Sequence, residues 1–218
     1  MTEPSSESLR DLRREYTRDA LLERDLLADP IAQFDRWIVD AQAANLAEPN
    51  AMTLATADAT GAPSARIVLL KEFDARGFVF FTNYESRKGR DLSANPRAAL
   101  CVYWHALERQ VRIEGTVERV DRALSEAYFH SRPIGSQVGA WVSHQSEVIP
   151  SREELDRREA ELLEKFKSGT VPMPDYWGGY RVIPNVIEFW QGRASRLHDR
   201  IRYTGRADGQ WTVERLAP

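Results

Sequence analysis

Four stretches of this chain gather side chains able to grip an anion or a flat ring. The first is Thr82-Asn83-Tyr84-Glu85-Ser86-Arg87-Lys88-Gly89-Arg90, with Ser86 at the natural start of a helix. Cations in a first helical turn oppose the positive end of the helix dipole, so Arg87 and Lys88 make sense there with a phosphate among the free N–H groups. A solvated basic turn is the alternative, and spacing does not separate the two. The second is Arg66-Ile67-Val68-Leu69-Leu70-Lys71, an apolar and therefore buried strand with a cation at each end. Alternation puts Arg66 and Lys71 on opposite faces. Either a bulge intervenes, or the two serve different surroundings, for instance on different subunits, or each simply snorkels at a strand end.

The third stretch runs from Tyr128 to Ser136 at a junction between helices. Tyr128, Arg132 and Ser136 can all donate to one phosphate, although ordinary helix caps use the same residue types. Gln145-Ser146 just beyond is equally ambiguous. The fourth is Trp190-Gln191-Gly192-Arg193-Ala194-Ser195-Arg196-Leu197-His198-Asp199-Arg200. A guanidinium stacks on a ring or clamps a phosphate, and an imidazole donates or accepts near neutral pH. A charged hairpin would look the same.

Other chemistries lack their residues. His105, His130, His144 and His198 have no metal-ligand spacing with one another or with Cys101, so no metal is expected. No serine sits in a nucleophile elbow, and the Gly-rich dinucleotide fingerprint and phosphate loop are absent. The single cysteine permits no intrachain disulfide, and its apolar neighbours suggest a buried, inert thiol. A net charge of -3, with 42% hydrophobic and 29% charged residues, describes an ordinary globular chain and argues against nucleic acid or anionic membranes as partners. Any bound anion must then be met by a local basic cluster. The charged N-terminus lacks the apolar run of a signal peptide and no segment is long enough to span a bilayer, so the cytoplasm is the expected setting.

The elements that must position these groups follow from pattern. Residues 1–28 read as an N-terminal arm, mobile or docked, and 29–218 as one domain without linkers or repeats. Asp29-Pro30 starts a helix whose stripe is Ile31, Phe34, Trp37, Ile38 and Ala41. Strands are expected at 51–57, 64–71, 77–82, 97–104, 109–120, 180–190, 198–203 and 211–216. Helices are expected at 87–94, 121–131, 135–142 and from a capping box at Ser151 to about Lys167. Consecutive strands with few helices between them favour a mainly β, α+β architecture: an antiparallel barrel with helices around it.

In order, LRREY, RIVLLK, FFTNYESRKG, ERQVRIEG, YFHSRP, SQVGAWVSHQS, YWGGYRV, IEFWQG, RLHDR and ERLAP resemble the pyridoxine/pyridoxamine 5'-phosphate oxidase family over most of the chain. The resemblance implies a split β-barrel and a homodimer with FMN in clefts between subunits. It implies oxidation of pyridoxamine or pyridoxine 5'-phosphate to pyridoxal 5'-phosphate by hydride transfer to the flavin. Oxygen is then the electron acceptor, yielding hydrogen peroxide, with ammonia released from the amine.

Carried over by position, flavin contacts fall on Arg66, Ile67, Val68, Leu69, Leu70, Lys71, Phe81, Thr82, Arg87, Lys88, Gln110, Gln145, Ser146, Trp190 and Arg200. Substrate contacts fall on Lys71, Tyr128, Arg132 and Ser136 at the phosphate, and on Arg196 and His198, the catalytic pair, near the ring. Arg13 and Tyr16 match an arm that closes over the site. Phe81 stands where some relatives carry tyrosine, so only a backbone contact is expected there. A flavin or pyridoxal-phosphate carrier without turnover, or a split-barrel reductase, is the rival reading.

Overall fold

The computed structural model describes residues 15–167 and 169–218. Helix α1 (Pro30–Ala43) starts where Asp29 accepts a hydrogen bond from the Ile31 N–H and proline occupies the first turn. Its stripe of Phe34, Trp37, Ile38 and Ala41 is buried against the sheet.

Nine strands form one antiparallel sheet: β1 (Ala51–Ala57), β2 (Pro63–Leu69), β3 (Glu72–Asp74), β4 (Gly77–Asn83), β5 (Arg97–Trp104), β6 (Arg109–Arg119), β7 (Trp177–Gln191), β8 (Asp199–Gly205) and β9 (Trp211–Leu216). The path runs β2-β1-β5-β6-β7-β4-β3, and β8 and β9 branch from β7. The branching works because β7 is long: its first six residues pair with β4 and its last six with β8. A register shift at Glu114/Gly115 bends β6 on β7. Only glycine fits there, since a Cβ at Gly115 would strike the Ile183 carbonyl. The curled sheet is a half-barrel, with α2 (Arg87–Ala94), α3 (Arg122–Ser131), α4 (Ile134–Val142) and α5 (Arg152–Phe166) as its other helices.

The main core packs Phe34 and Trp37 against Leu54, Phe78, Leu100, Ile113, Phe189 and Tyr203. A second core joins Phe129, Val138 and Val142 of α3 and α4 to Val171, Met173 and Trp177. This smaller core carries one wall of the cleft described below.

Four expectations need correction. The run 64–71 is not one buried strand: β2 ends at Leu69, β3 is a separate short strand, and β2 is a sheet edge with Ile67 64% exposed. Ile67 therefore faces outward in the single chain, while Val68 packs against the main core. Ser151 caps no backbone N–H: its hydroxyl donates to the Glu153 carboxylate, and the Glu154 carboxylate that would complete the box is held by Arg157 and Arg158. Between β5 and β6 the chain makes a 3-10 turn at His105–Leu107 with Glu108 left-handed. Cys101 is half-buried rather than buried, and that burial pushes its thiol up, which keeps it protonated.

Candidate functional site

At the start of α2, Ser86 accepts from the Gly89 N–H at 3.3 Å and donates to the Asn83 carbonyl at 2.7 Å. A side chain at Gly89 would collide with the Tyr84 carbonyl, so glycine lets the helix turn lie directly on the end of β4. The Lys88 ammonium is thereby folded inward. It donates to Thr82 Oγ1 at 3.0 Å, Ser86 Oγ at 3.1 Å and Gln145 Oε1 at 2.6 Å. Burial, and then the charge of Arg66, pull Lys88 down to about 8.

Arg66 reaches across the sheet edge to Thr56 Oγ1 at 2.7 Å, Ser64 Oγ at 2.6 Å and the Leu54 carbonyl at 3.2 Å. Asp91 Oδ2 lies 3.8 Å away. The Arg87 N–H donates to Ser146 Oγ at 3.1 Å. Arg66, Arg87, Lys88, Gln145 and Ser146 line a bay of ≈ 400 Å³. Through Ile67, Lys88 and Gln145 the bay adjoins a larger cleft of ≈ 640 Å³.

The wall of that cleft is aromatic. Phe81 stacks on Tyr128 at 4.1 Å and on Trp177 at 5.6 Å, the three rings nearly parallel. Two cations rest on this wall, Lys71 at 5.9 Å over Tyr128 and Arg132 at 4.8 Å over Trp177. Arg132 Nη1 is buried with no hydrogen-bond partner, and burial lowers the pKa of the group. Lys71, Arg87, Lys88 and Arg132 make no ion pair with any described carboxylate. Elsewhere Arg109 and Arg215 each hold two acids. Lys88 is buried and Arg132 half-buried, whereas Lys71 and Arg87 are exposed at the rim. An unpaired buried cation costs stability unless a ligand supplies the counter-charge, so the donor set fits phosphoryl groups.

A second group lies at the other end of β7. Gln110, Trp190 and Arg200 are register neighbours across β6, β7 and β8. The Arg200 guanidinium forks onto Glu188 at 2.8 and 3.2 Å. Trp190 packs against His198 at 4.7 Å, and Tyr16 meets both rings at 5.6 Å. The Arg193 N–H donates to His198 Nδ1 at 3.1 Å, which leaves the proton of the neutral ring on Nε2. Burial and Arg196 both lower the pKa of His198. Ser195 and Arg196 are both left-handed, at φ 55 and 60, a local strain of the kind found at functional loops.

The family model described as "Pyridoxamine 5'-phosphate oxidase" matches residues 38–165. The "Pyridoxine 5'-phosphate oxidase C-terminal dimerisation region" matches 177–218. The chain belongs to the pyridoxamine 5'-phosphate oxidase family. Proteins named pyridoxine/pyridoxamine 5'-phosphate oxidase share 62% identity in Bordetella avium, over 97% of this chain and 100% of that one, and 59% in Cupriavidus pinatubonensis, over 96% and 99%. The crystal structure of PhzG from Burkholderia lata, in complex with tetrahydrophenazine-1-carboxylic acid, superposes with a TM-score of 0.86 at 33% identity, over 93% of this chain and 100% of that one. A pyridoxamine 5'-phosphate oxidase-related, FMN binding protein of Nostoc punctiforme, covering 88% of this chain and 100% of its own at 16% identity and TM-score 0.70, shares the split-barrel fold.

The oxidase-family residues expected from sequence thus fall into two sets. Ile67, Val68, Leu69, Lys71, Phe81, Thr82, Lys88, Tyr128, Arg132, Ser136 and Gln145 line the large cleft, with Arg66, Arg87 and Ser146 in the adjoining bay. Leu70 points into the main core instead. Tyr16, Trp190, His198 and the strained loop carrying Arg196 cluster apart, with Gln110 and Arg200 beside them on the sheet. Within one chain they line neither cavity. Arg13 lies outside the described residues. Asn83, Asp91 and Trp177 were missed from the sequence. The only signals available were the pairing of YWGGY with FFTN and the i, i+3 spacing of Asp91 behind Lys88. Among the described residues no cluster of three or more metal-ligating side chains occurs, and no helix is long and apolar enough to cross a membrane.

Proposed function

We propose that this chain oxidises pyridoxamine or pyridoxine 5'-phosphate to pyridoxal 5'-phosphate, with FMN as cofactor and O2 as the final acceptor. Hydrogen peroxide and, from the amine, ammonia are the other products. The observation that carries this reading is the run of cations without an ion pair, Lys71, Arg87, Lys88 and Arg132, along adjoining cavities. Two phosphate monoesters, each of about −1.5 to −2 charge at neutral pH, match that run better than a single carboxylate does. The relatives at 59–62% identity support a vitamin B6 phosphate over the tricyclic acid bound to PhzG.

Bound FMN would supply a two-electron acceptor that oxygen reoxidises. Arg66, Arg87, Lys88 and Ser146 would hold its phosphate, and the chain from Ile67 to Lys71, with Gln110, its ring edge. Lys71, Tyr128, Arg132 and Ser136 would grip the substrate phosphate, so that binding energy from a non-reacting group fixes the reacting carbon. Arg196 and His198 would meet the substrate ring, His198 offering the Nε2 proton as a hydrogen-bond donor. Tyr16 and the arm would cover them.

A homodimer is part of the reading. The Trp190–Arg200 set belongs to the segment matching a dimerisation region and lies apart from the cleft of its own chain. A second copy would bring its own set to that cleft.

The test is the visible spectrum of purified protein under nitrogen. A yellow preparation that bleaches on adding pyridoxine 5'-phosphate, and releases peroxide in air without nicotinamide, is expected. A protein that stays colourless with excess FMN refutes the cofactor assignment. One that binds FMN but never bleaches is a carrier.

A further inference from the structure

We infer that Trp177 is a positioning residue, whose indole face holds the Arg132 guanidinium in the plane from which it meets a phosphoryl group while leaving its charge unspent. The inference rests on the substrate-phosphate role given above to Arg132.

Most guanidiniums of this chain are aimed by carboxylates: Arg76 by Asp74, Arg200 by Glu188, Arg215 by Glu23 and Asp199. A carboxylate fixes the fork but also neutralises it. Arg132 is held differently. Its Cζ lies 4.8 Å over Trp177 and 5.6 Å over Phe129, its Nη1 is buried without a partner, and no described acid pairs with it. Gln137 fixes the backbone by donating to the Arg132 carbonyl at 2.8 Å. An aromatic face attracts a guanidinium through its quadrupole, yet contributes no net charge to compete with an incoming anion.

Trp177 is itself well anchored. It is 7% exposed, its backbone N–H donates to the Pro174 carbonyl at 3.0 Å, and it pairs with Asn83 across β4 and β7. Phe129 meets its ring edge-on at 5.1 Å, while Phe81 and Tyr128 lie within 12° of parallel to it. Lys71 rests on the same aromatic group through Tyr128. One rigid base therefore seats both cations given to the substrate phosphate, and Trp177 is the member under the planar one.

The experiment uses the flavin-loaded protein and its Trp177→Phe and Trp177→Leu variants. Three quantities are read: the NMR shift of the Arg132 Nε–H proton, the ratio of dissociation constants for pyridoxal and pyridoxal 5'-phosphate, and flavin content. The Arg132 proton of the unaltered protein should be displaced by the indole ring current. Trp177→Phe should keep most of the displacement and the ratio. Trp177→Leu should lose both, with the ratio falling about fivefold to tenfold while pyridoxal affinity and flavin content hold. If Trp177→Leu does not fold, Trp177→Met fills the space without a ring.

An undisplaced Arg132 proton in the unaltered protein overturns the inference without any variant. So does a ringless variant that keeps the phosphate preference, or one that loses both ligands equally. A displaced proton in an unaltered protein that binds the two ligands alike overturns instead the phosphate reading of the cleft.

Discussion

Lys88 is a buried ammonium among oxygens that carry no formal charge, with Arg66 as its nearest electrostatic influence. Desolvating such a group costs several kcal/mol on general grounds; its three hydrogen bonds offset part of this, and a bound anion would offset more. Charge-assisted hydrogen bonds are worth about 1.5–3 kcal/mol each. Lys88→Ala or Arg87→Ala should therefore weaken FMN retention by about tenfold to a hundredfold, measured by fluorescence titration. Arg196→Ala should slow turnover by a similar factor with FMN still bound. Equal flavin loss in all three variants contradicts this division of roles.

The depressed value of Lys88 also fixes a pH dependence. The ammonium attracts phosphate, so FMN affinity should be full below about 8 and decline as pH rises through it. Stability of the flavin-free fold runs the other way. Burial penalises the charged form, a cost present below 8 and relieved as pH climbs toward the ordinary 10.5. Titrations from about pH 7 to about pH 9 should show the decline in the unaltered protein and not in Lys88→Gln. A flat profile in both excludes Lys88 from the phosphate site.

At the scale of elements, the start of α2 is where local sequence and site geometry coincide. Ser86 caps the helix and supplies an acceptor to Lys88, while Gly89 lets the turn touch β4. Gly89→Ala should cost about 1–3 kcal/mol of stability in chemical denaturation and lower FMN affinity with it, because the displaced turn carries Lys88 outward. Unchanged stability and affinity would mean that the turn yields freely. This region was legible in the sequence because the cap, the cations and the glycine sit within four residues. Helix α1 and the β8–β9 hairpin were legible for the same local reason.

The misreadings have nonlocal causes. The end of β2 at Leu69 depends on how Lys71 pairs with Val79 through its N–H, which no local pattern announces. Strand β7 begins at Trp177 rather than 180 because β4 supplies partners to Trp177, Gly178 and Gly179. Trp177 is a core residue. Its place beneath Arg132 arises only when α3 packs on the start of β7.

For the whole molecule, the decisive feature is the separation of two residue sets that the resemblance assigns to one site. The cations without ion pairs surround the cleft beside β2 and α2, whereas Trp190, Arg196, His198 and Arg200 gather at the far end of β7 in the segment matching a dimerisation region. Residue pattern hinted at this only through the opposed faces of Arg66 and Lys71, since periodicity carries no information about a second chain; the expectation of a shared cleft came from the family resemblance. A symmetric pair of chains would build two identical sites, each with a cleft from one copy and a His198 loop from the other. The most direct measurement mixes two impaired proteins, Lys88→Ala and Arg196→Ala, unfolded together and refolded at an FMN concentration that loads the unaltered protein but not Lys88→Ala. Random pairing leaves one intact site in each mixed dimer, so about a quarter of the unaltered activity should return. No return of pyridoxine 5'-phosphate oxidation, from mixed dimers verified to have formed, would place both residues in one chain's site and contradict the shared centre.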